Sequence, residues 1–228
     1  MVDASQINLT ENLNRVRNRI RAACERCGRD PREIKLVAVS KTVSPEIAAQ
    51  AVSAGVTDIG ENRAQDIAAK FAAIGDKVTW HFIGHLQRNK VKQIIGFVDL
   101  IHSLDSPALA EEINRRAAEN NKIQKCLLEV NISGEASKYG LRPDEVFAFI
   151  KQVAVFDNLK IDGLMTIAPL GADENQARAV FRGLNKLSAD ISGSGLELKR
   201  LSMGMTDDFE VAIEEGAHLV RIGRAIFG

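Results

Sequence analysis

The chain has 228 residues, of which 45% are hydrophobic and 26% charged, and its formal net charge is zero. That balance argues against a nucleic-acid partner, which would select a basic surplus or a basic stripe. No run of about 18 apolar residues occurs, so we expect no membrane-spanning helix. The N-terminus lacks the pattern of a signal peptide, and three scattered cysteines favour a reducing cytoplasm.

An amphipathic helix is predicted over residues 9–27, because apolar residues recur there at spacings of three and four. Gly28 is a plausible stop for this helix. Cys24 and Cys27 form a CxxC inside the helical pattern. No second pair accompanies them, so we expect neither a metal nor a redox site.

Strands and helices then alternate to the end of the chain. The strands are predicted at residues 34–41, 58–62, 78–84, 100–104, 125–132, 161–167, 198–202 and 218–222. The intervening helices are predicted at 44–55, near 63–74, near 87–96, at 106–117, from 143 through 150, around 177–187 and at 207–215. This order predicts one closed (β/α)8 barrel with an extra N-terminal helix, and residues 1–228 form a single domain. An open doubly wound sheet is the alternative, but no GxGxxG follows the first strand.

Lys41 ends the first strand, at the end of the barrel where active sites of this fold lie. An ammonium beside apolar walls loses hydration, which favours the neutral amine, and a neutral amine forms Schiff bases with carbonyl groups. Lys41 is therefore the candidate nucleophile. The alternative is a lysine that extends to solvent from a strand end.

Phosphate-binding sites in such barrels lie after strands seven and eight. The first of these loops begins at Ser202 and continues through Gly204, Met205 and Thr206, and the second contains Arg221, Gly223 and Arg224. Glycine lets the backbone approach an anion closely, and neighbouring N–H groups and hydroxyls suit a phosphate. Asp207 and Asp208 are expected to be helix-start carboxylates that face solvent.

A Schiff-base lysine near a phosphate site points to pyridoxal 5′-phosphate (PLP), and a phosphorylated sugar bound by a Schiff-base aldolase is the competing interpretation. The sequence closely resembles the pyridoxal phosphate homeostasis protein family, single-domain relatives of the alanine racemase N-terminal barrel. The resemblance spans nearly the whole chain and rests on residues 36–41, 60–62, 80–90, 138–140, 163–166, 202–205, 220–223 and 226–228. The run from Trp80 to Lys90 is the most diagnostic.

The resemblance implies a cofactor role for particular residues. Lys41 would carry PLP as an internal aldimine, with Arg221 facing the pyridine nitrogen and Asn62 near the O3′ side of the ring. The phosphate cup would consist of Ser202, Gly204, Met205, Gly223 and Arg224. Thr206 belongs to the same cofactor-binding set, although many relatives carry serine there.

The resemblance also implies a role in intracellular PLP homeostasis, by buffering the cofactor or handing it on, and no catalytic residues. Arginine donates to the pyridine nitrogen but does not protonate it, which leaves a poor electron sink. Racemases of this fold use a tyrosine from a second domain, whereas this chain has one tyrosine, Tyr139, and ends at Gly228. The rivals are a racemase-like PLP enzyme and a PLP-responsive regulatory partner. We expect a cytoplasmic monomer without nucleic-acid or membrane partners. Its expected protein partners are PLP-accepting apo-enzymes or a regulatory protein.

Other candidates keep two interpretations each. His81 points into the mouth or is a satisfied barrel residue, whereas His102 and His218 are expected to be structural. Lys138 is a transfer residue or an ordinary loop lysine. A small basic cluster after strand three is a solvated helix face or a docking site: Arg88, Lys90 and Lys92.

Overall fold

The computed structural model describes residues 8–228. Its eight parallel strands close into a barrel in which each strand pairs with its neighbours in chain order and β1 pairs with β8. The predicted (β/α)8 barrel is therefore confirmed. The strands are β1 Lys35–Val39, β2 Asp58–Glu61, β3 Thr79–Phe82, β4 Leu100–Leu104, β5 Gln124–Glu129, β6 Leu159–Met165, β7 Arg200–Ser202 and β8 Leu219–Ile222.

The helices surround the barrel, and the predicted N-terminal helix is present. They are α1 Leu9–Cys27, α2 Pro45–Ser53, α3 Ala64–Ile74, α4 Val91–Ile94, α5 Pro107–Glu119, α6 Val146–Val153, α7 Glu174–Gly193, α8 Phe209–Glu214 and α9 Arg224–Phe227. Short 3₁₀ turns occupy Pro31–Glu33, Arg88–Lys90 and Pro143–Glu145. Gly28 ends α1 in the left-handed conformation, with φ of 70°, as the sequence predicted.

The helix predicted near residues 87–96 is the largest difference from the sequence-based prediction. It is reduced to the 3₁₀ turn and the short helix α4. Leu86 is buried, but the next three residues are exposed, so an apolar stripe that packs on the barrel begins only at Val91. The sequence also missed α9, which closes the C-terminus against α1.

The barrel has an apolar layer in its interior, separate from the larger core between strands and helices. This inner layer consists of Val37, Leu100, Leu127, Met165 and Leu219. The mouth is the opening at the carboxyl ends of the strands, and the buried polar side chains near it include Ser202 and Arg221.

Within residues 8–228, no helix combines the length and the apolar character that crossing a bilayer requires. The same residues contain no group of three or more His, Cys, Asp or Glu side chains placed to hold a metal ion. Cys24 and Cys27 are both free thiols.

Candidate functional site

Lys41 lies at the mouth, in the turn two residues beyond the end of β1. Its side chain is exposed. The sequence predicts apolar walls around this amine, and that prediction is wrong, because the exposed turn after β1 lies beyond the packed part of the barrel. The amine is thus accessible to a ligand that enters the mouth.

A buried ion pair fixes the backbone next to Lys41. The Lys70 ammonium contacts the Glu61 carboxylate and donates to the Ser40 carbonyl oxygen at 2.7 Å. The Ser40 hydroxyl donates to the same carboxylate at 2.7 Å, and the Asn62 N–H donates to its second oxygen at 3.2 Å. Removing one partner of such a pair leaves a buried charge, at a cost of about 3–5 kcal/mol. This cluster therefore sets the positions of both Lys41 and Asn62.

Asn62 presents a buried side-chain oxygen, Oδ1, that has no hydrogen-bond partner among the described residues. Gly84, from the loop after β3, packs directly against the backbone of Asn62. A Cβ at position 84 would lie 2.3 Å from the Asn62 carbonyl oxygen, so no larger residue fits there without a backbone shift. This contact explains why a glycine occupies position 84 within the diagnostic run from Trp80 to Lys90.

Two glycines shape the loops after β7 and β8. Gly204 has φ of +90°, and a Cβ there would lie 2.5 Å from the Ala212 Cβ and 2.8 Å from the Phe209 Cα. A Cβ at Gly223 would lie 3.1 Å from the Val39 carbonyl oxygen. The Arg221 N–H donates to the Gly204 carbonyl oxygen at 3.0 Å, which joins the two loops. Both loops therefore depend on close backbone approach.

Backbone N–H groups at the mouth remain available as donors. Those of Gly204, Thr206, Gly223 and Arg224 have no acceptor among the described residues. The Met205 N–H differs, because the Asp208 carboxylate accepts it at 2.5 Å. Unpaired N–H groups on neighbouring loops are suited to an anion.

Arg221 lies buried inside the barrel beneath these loops. Its guanidinium donates to the Ser202 hydroxyl at 2.6 Å and to the Thr166 carbonyl oxygen at 3.0 Å. Burial lowers the pKa of Arg221 to about 10, against the opposing charges of Asp208 and Glu129. The guanidinium is therefore a cation at neutral pH. The structure thus brings Arg221 and Ser202 together, with the two loops on the side of the mouth.

Comparison with known proteins identifies the family. The family model for the alanine racemase N-terminal domain matches residues 11–228. A pyridoxal phosphate homeostasis protein from Aquifex aeolicus is 46% identical over 224 residues, covering 97% of this chain and 98% of that protein. The chain belongs to the pyridoxal phosphate homeostasis protein family.

Solved structures agree with this assignment to the pyridoxal phosphate homeostasis protein family. PipY from Synechococcus elongatus, solved with PLP bound, is 34% identical with a TM-score of 0.86, covering 97% of this chain and 100% of that one. A crystal structure of an unknown protein from Bifidobacterium adolescentis is 37% identical with a TM-score of 0.92, covering 100% of this chain and 98% of that chain.

Two acids at the mouth of this family member differ in surroundings. Asp207 is exposed and pairs with Arg224. Asp208 is half-buried, and burial raises its pKa even though the Met205 N–H and the charge of Arg221 oppose that shift. The prediction that both acids face solvent holds for Asp207 and is wrong for Asp208, whose carboxylate turns back onto its own loop.

Glu129 is a mouth residue that sequence reasoning missed in this member of the family. It ends β5 and is almost fully buried. Burial and the nearby charge of Asp105 raise its pKa to about 7, although the positive charge of Arg221 opposes that shift. A glutamate at the end of a predicted barrel strand was the available signal, since such positions face the mouth.

Residues from three loops form the rim. The Tyr139 ring stacks on His85 with 4.0 Å between centroids, and His85 lies 3.6 Å from Asp105. Lys138 pairs with Glu135 at 2.6 Å and donates to the Ile167 carbonyl oxygen at 3.1 Å. Tyr139 is therefore held at the rim, with 59% of its surface exposed.

His81, His102 and His218 fit the interpretation as structural residues whose ring nitrogens have hydrogen-bond partners. His81 is buried and has hydrogen-bond partners at both ring nitrogens, as does His102. His218 accepts the Leu201 N–H at 3.2 Å. The basic cluster after β3 is mostly exposed: Arg88, Lys90 and Lys92.

Proposed function

We propose that this chain binds PLP at the mouth of its barrel, with Lys41 as the covalent anchor, and serves intracellular PLP homeostasis by buffering the cofactor or handing it on. PLP supplies an aldehyde that an amine captures with loss of water and releases again on hydrolysis. The observation that carries the proposal is the placement of an accessible lysine at the same end of the barrel as unpaired backbone donors. The names of the relatives and the PLP-bound PipY structure support it.

The residues present fit the cofactor. The unpaired N–H groups of Gly204, Thr206, Gly223 and Arg224 suit a phosphate dianion. We assign to the same phosphate cup Ser202 and Met205, although the Ser202 hydroxyl contacts Arg221 and His102 and the Met205 N–H contacts Asp208. Larger residues at Gly204 or Gly223 would crowd α8 or the Val39 carbonyl oxygen and so displace the loops that carry these N–H groups.

The other two assignments concern the ring. Arg221 would donate to the pyridine nitrogen, because a guanidinium carries only donors. Asn62, with its unpartnered buried oxygen, would lie on the O3′ side. Both residues are held by neighbours that the chain itself supplies, so the site is largely formed before the cofactor binds.

A carrier suits these residues better than a catalyst. With its pKa near 10, Arg221 stays cationic at neutral pH, so a ring nitrogen beside it would remain unprotonated and would draw electrons weakly. The one tyrosine of the chain, Tyr139, stacks on His85 at the rim. We therefore expect little turnover with amino acids.

We further propose that residues 1–228 act as one PLP-binding domain, in a cytoplasmic monomer. An open mouth allows hydrolysis and transfer to a PLP-accepting apo-enzyme, or contact with a regulatory protein. Lys138, close to the rim and already paired with Glu135, is a second amine near this opening.

Reduction with borohydride tests the anchor. Purified protein incubated with PLP should show a visible absorption band, and after reduction the phosphopyridoxyl mass should map to Lys41. Lys41→Ala should lose the adduct, whereas Lys138→Ala, the matched control at the rim, should retain it. A wild-type protein that gains no band and no adduct would contradict the proposal.

A further inference from the structure

A continuous line of buried polar side chains crosses the barrel interior. The Arg221 guanidinium contacts the Ser202 hydroxyl at 2.6 Å, and Ser202 contacts His102 Nδ1 at 2.9 Å. His102 Nε2 lies 2.9 Å from His81 Nδ1, and His81 Nε2 lies 3.1 Å from the Asp58 carboxylate. All of these residues are at most 4% exposed. The line joins the mouth to Asp58, the first residue of β2 at the opposite end of the barrel.

The two ends of this line fix the direction of its hydrogen bonds. Arg221 only donates. At the other end, burial raises the pKa of Asp58, but hydrogen bonds from His81 and Thr57 outweigh it and bring the pKa below the usual value. Asp58 is therefore a carboxylate at neutral pH and accepts a hydrogen bond from His81 Nε2–H.

The middle of the line follows from Ser202. Its hydroxyl oxygen contacts only Arg221 and His102 among the described residues. If His102 also donated to it, the buried hydroxyl proton would have no acceptor, which is costly. Ser202 therefore donates to His102 Nδ1, and His102 Nε2 donates to His81 Nδ1. Burial, with the positive charges of Arg221 and Arg200, holds the pKa of His102 well below its usual range, which agrees with a neutral ring.

We propose that Asp58, His81 and His102 are positioning residues for Arg221: through a one-way line of hydrogen bonds they hold the Ser202 hydroxyl as an acceptor for its guanidinium. This role rests on the proposed function, since Arg221 is the residue that would meet the ring nitrogen of PLP. The Asp58 carboxylate that supports this contact lies four hydrogen bonds away from Arg221, and its Oδ1 atom is 3.8 Å from Lys35 Nζ.

The line itself is tested without cofactor. In ¹⁵N spectra of the histidine rings of the PLP-free protein, His81 and His102 should both carry their proton on Nε2 and leave Nδ1 unprotonated at neutral pH. Asp58→Asn replaces a group that only accepts by one that also donates, so the two rings should lose this uniform tautomer. A wild-type His102 protonated on Nδ1, or a His81 imidazolium, would overturn the assignment.

The effect on the site is tested by PLP affinity. His81→Leu breaks the line and leaves two buried partners unsatisfied, and we expect roughly tenfold weaker PLP binding. His81→Gln retains one acceptor and one donor and should restore most of the affinity. His218→Gln is the matched control, because His218 bonds the backbone outside the line.

Measuring PLP affinity at a temperature well below the unfolding transition separates an effect on the position of Arg221 from an effect on stability. A purely structural role would lower the thermal midpoint of His81→Leu and leave its PLP affinity at the wild-type value, which would overturn the proposal. If His81→Leu does not fold, the wild-type tautomers and the affinity of Asp58→Asn decide. A wild-type protein that takes up no PLP would refute the proposed function and this role toward the cofactor, whereas the tautomers would still show whether the line exists.

Discussion

Glu129 is a single residue whose protonation state links the mouth to the stability of the fold. Its carboxyl group is almost fully buried at the end of β5, facing Asp105 and Arg221. Burial raises its pKa from 4.5 to about 7, so the folded protein holds a proton there over a pH range in which the unfolded chain releases it. In that range the folded state binds more protons, and its stability falls as the pH rises.

We therefore expect this residue to destabilise the protein progressively above pH 4.5. Its favourable contribution is fully present below pH 4.5 and is lost as the pH rises to about 7, with a total loss of about 3 kcal/mol. Glu129→Gln should abolish this part of the decline. Urea unfolding at several pH values between 4.5 and 7 measures the free energy of unfolding of both proteins and hence this decline.

The same substitution at an exposed position of α5, Glu111→Gln, is the matched control. If Glu129→Gln and the wild type lost stability in parallel over this pH range, the buried carboxyl would not be the group responsible.

At the level of single residues, the sequence offered Lys41 as the anchor, which stays a prediction, but it did not indicate the residues that hold the backbone beside Lys41. Lys41 was the candidate because a charged side chain directly after an apolar strand is unusual in the hydrophobic pattern of the sequence. Glu61 was part of a recognised motif, but its pairing with Lys70 depends on a helix turn that brings Lys70 back over the strand. The exposure of Lys41 likewise depends on the course of a turn, which local periodicity does not encode.

At the level of elements, starts and stops with a strong local signal were predicted well. Ser44 and Pro45 begin α2, and Gly28 ends α1. The start predicted at residue 207 differs, because Asp208 uses its carboxylate on the Met205 N–H and the helix α8 begins at Phe209. A competing side-chain hydrogen bond thus displaced the boundary.

The loop after β7 should be the most sensitive to added bulk. Gly204→Ala places a Cβ 2.5 Å from the Ala212 Cβ and 2.8 Å from the Phe209 Cα, in a residue with φ of +90°. We expect a loss of about 2–5 kcal/mol, from left-handed strain plus overpacking. We also expect much weaker PLP binding, because α8 and the loop must move apart. Urea unfolding and a PLP titration measure the two effects.

Gly171→Ala separates strain from crowding. Gly171 also has positive φ, at +74°, but nothing lies within 4 Å of its Cβ position. It should cost only the strain, about 1–2 kcal/mol, and leave PLP affinity unchanged. Equal losses in both variants would mean that crowding at Gly204 contributes little.

At the level of the whole molecule, the alternation of strands and helices was enough to predict the barrel, and the end at which its site lies stays a prediction from the fold. The buried line beneath the mouth was beyond sequence reasoning. Ser202 and His102 are 100 residues apart in the chain, and their contact exists only because barrel closure brings their strands to one interior. Such cross-barrel contacts depend on register and side-chain direction, which no local pattern contains.

The whole molecule should unfold as one unit that includes α1. This helix packs on α8 and α9, and the Asn12 side chain donates to the Ile226 carbonyl oxygen at 2.9 Å. Leu13 on α1 is fully buried. Leu13→Ala should cost about 2–5 kcal/mol, because it leaves a cavity between α1 and the barrel.

The single tryptophan, Trp80, tests this cooperativity because it reports on a different part of the barrel. It is buried on β3 and packs against Phe71 and Phe97. In urea, the fluorescence of Trp80 and the far-UV circular dichroism should shift together in Leu13→Ala. Ile123→Ala, at a side chain 60% exposed, should leave both midpoints near wild type. If Leu13→Ala lowered only the dichroism midpoint, α1 would be a separate folding unit, and the proposal of one domain would be wrong.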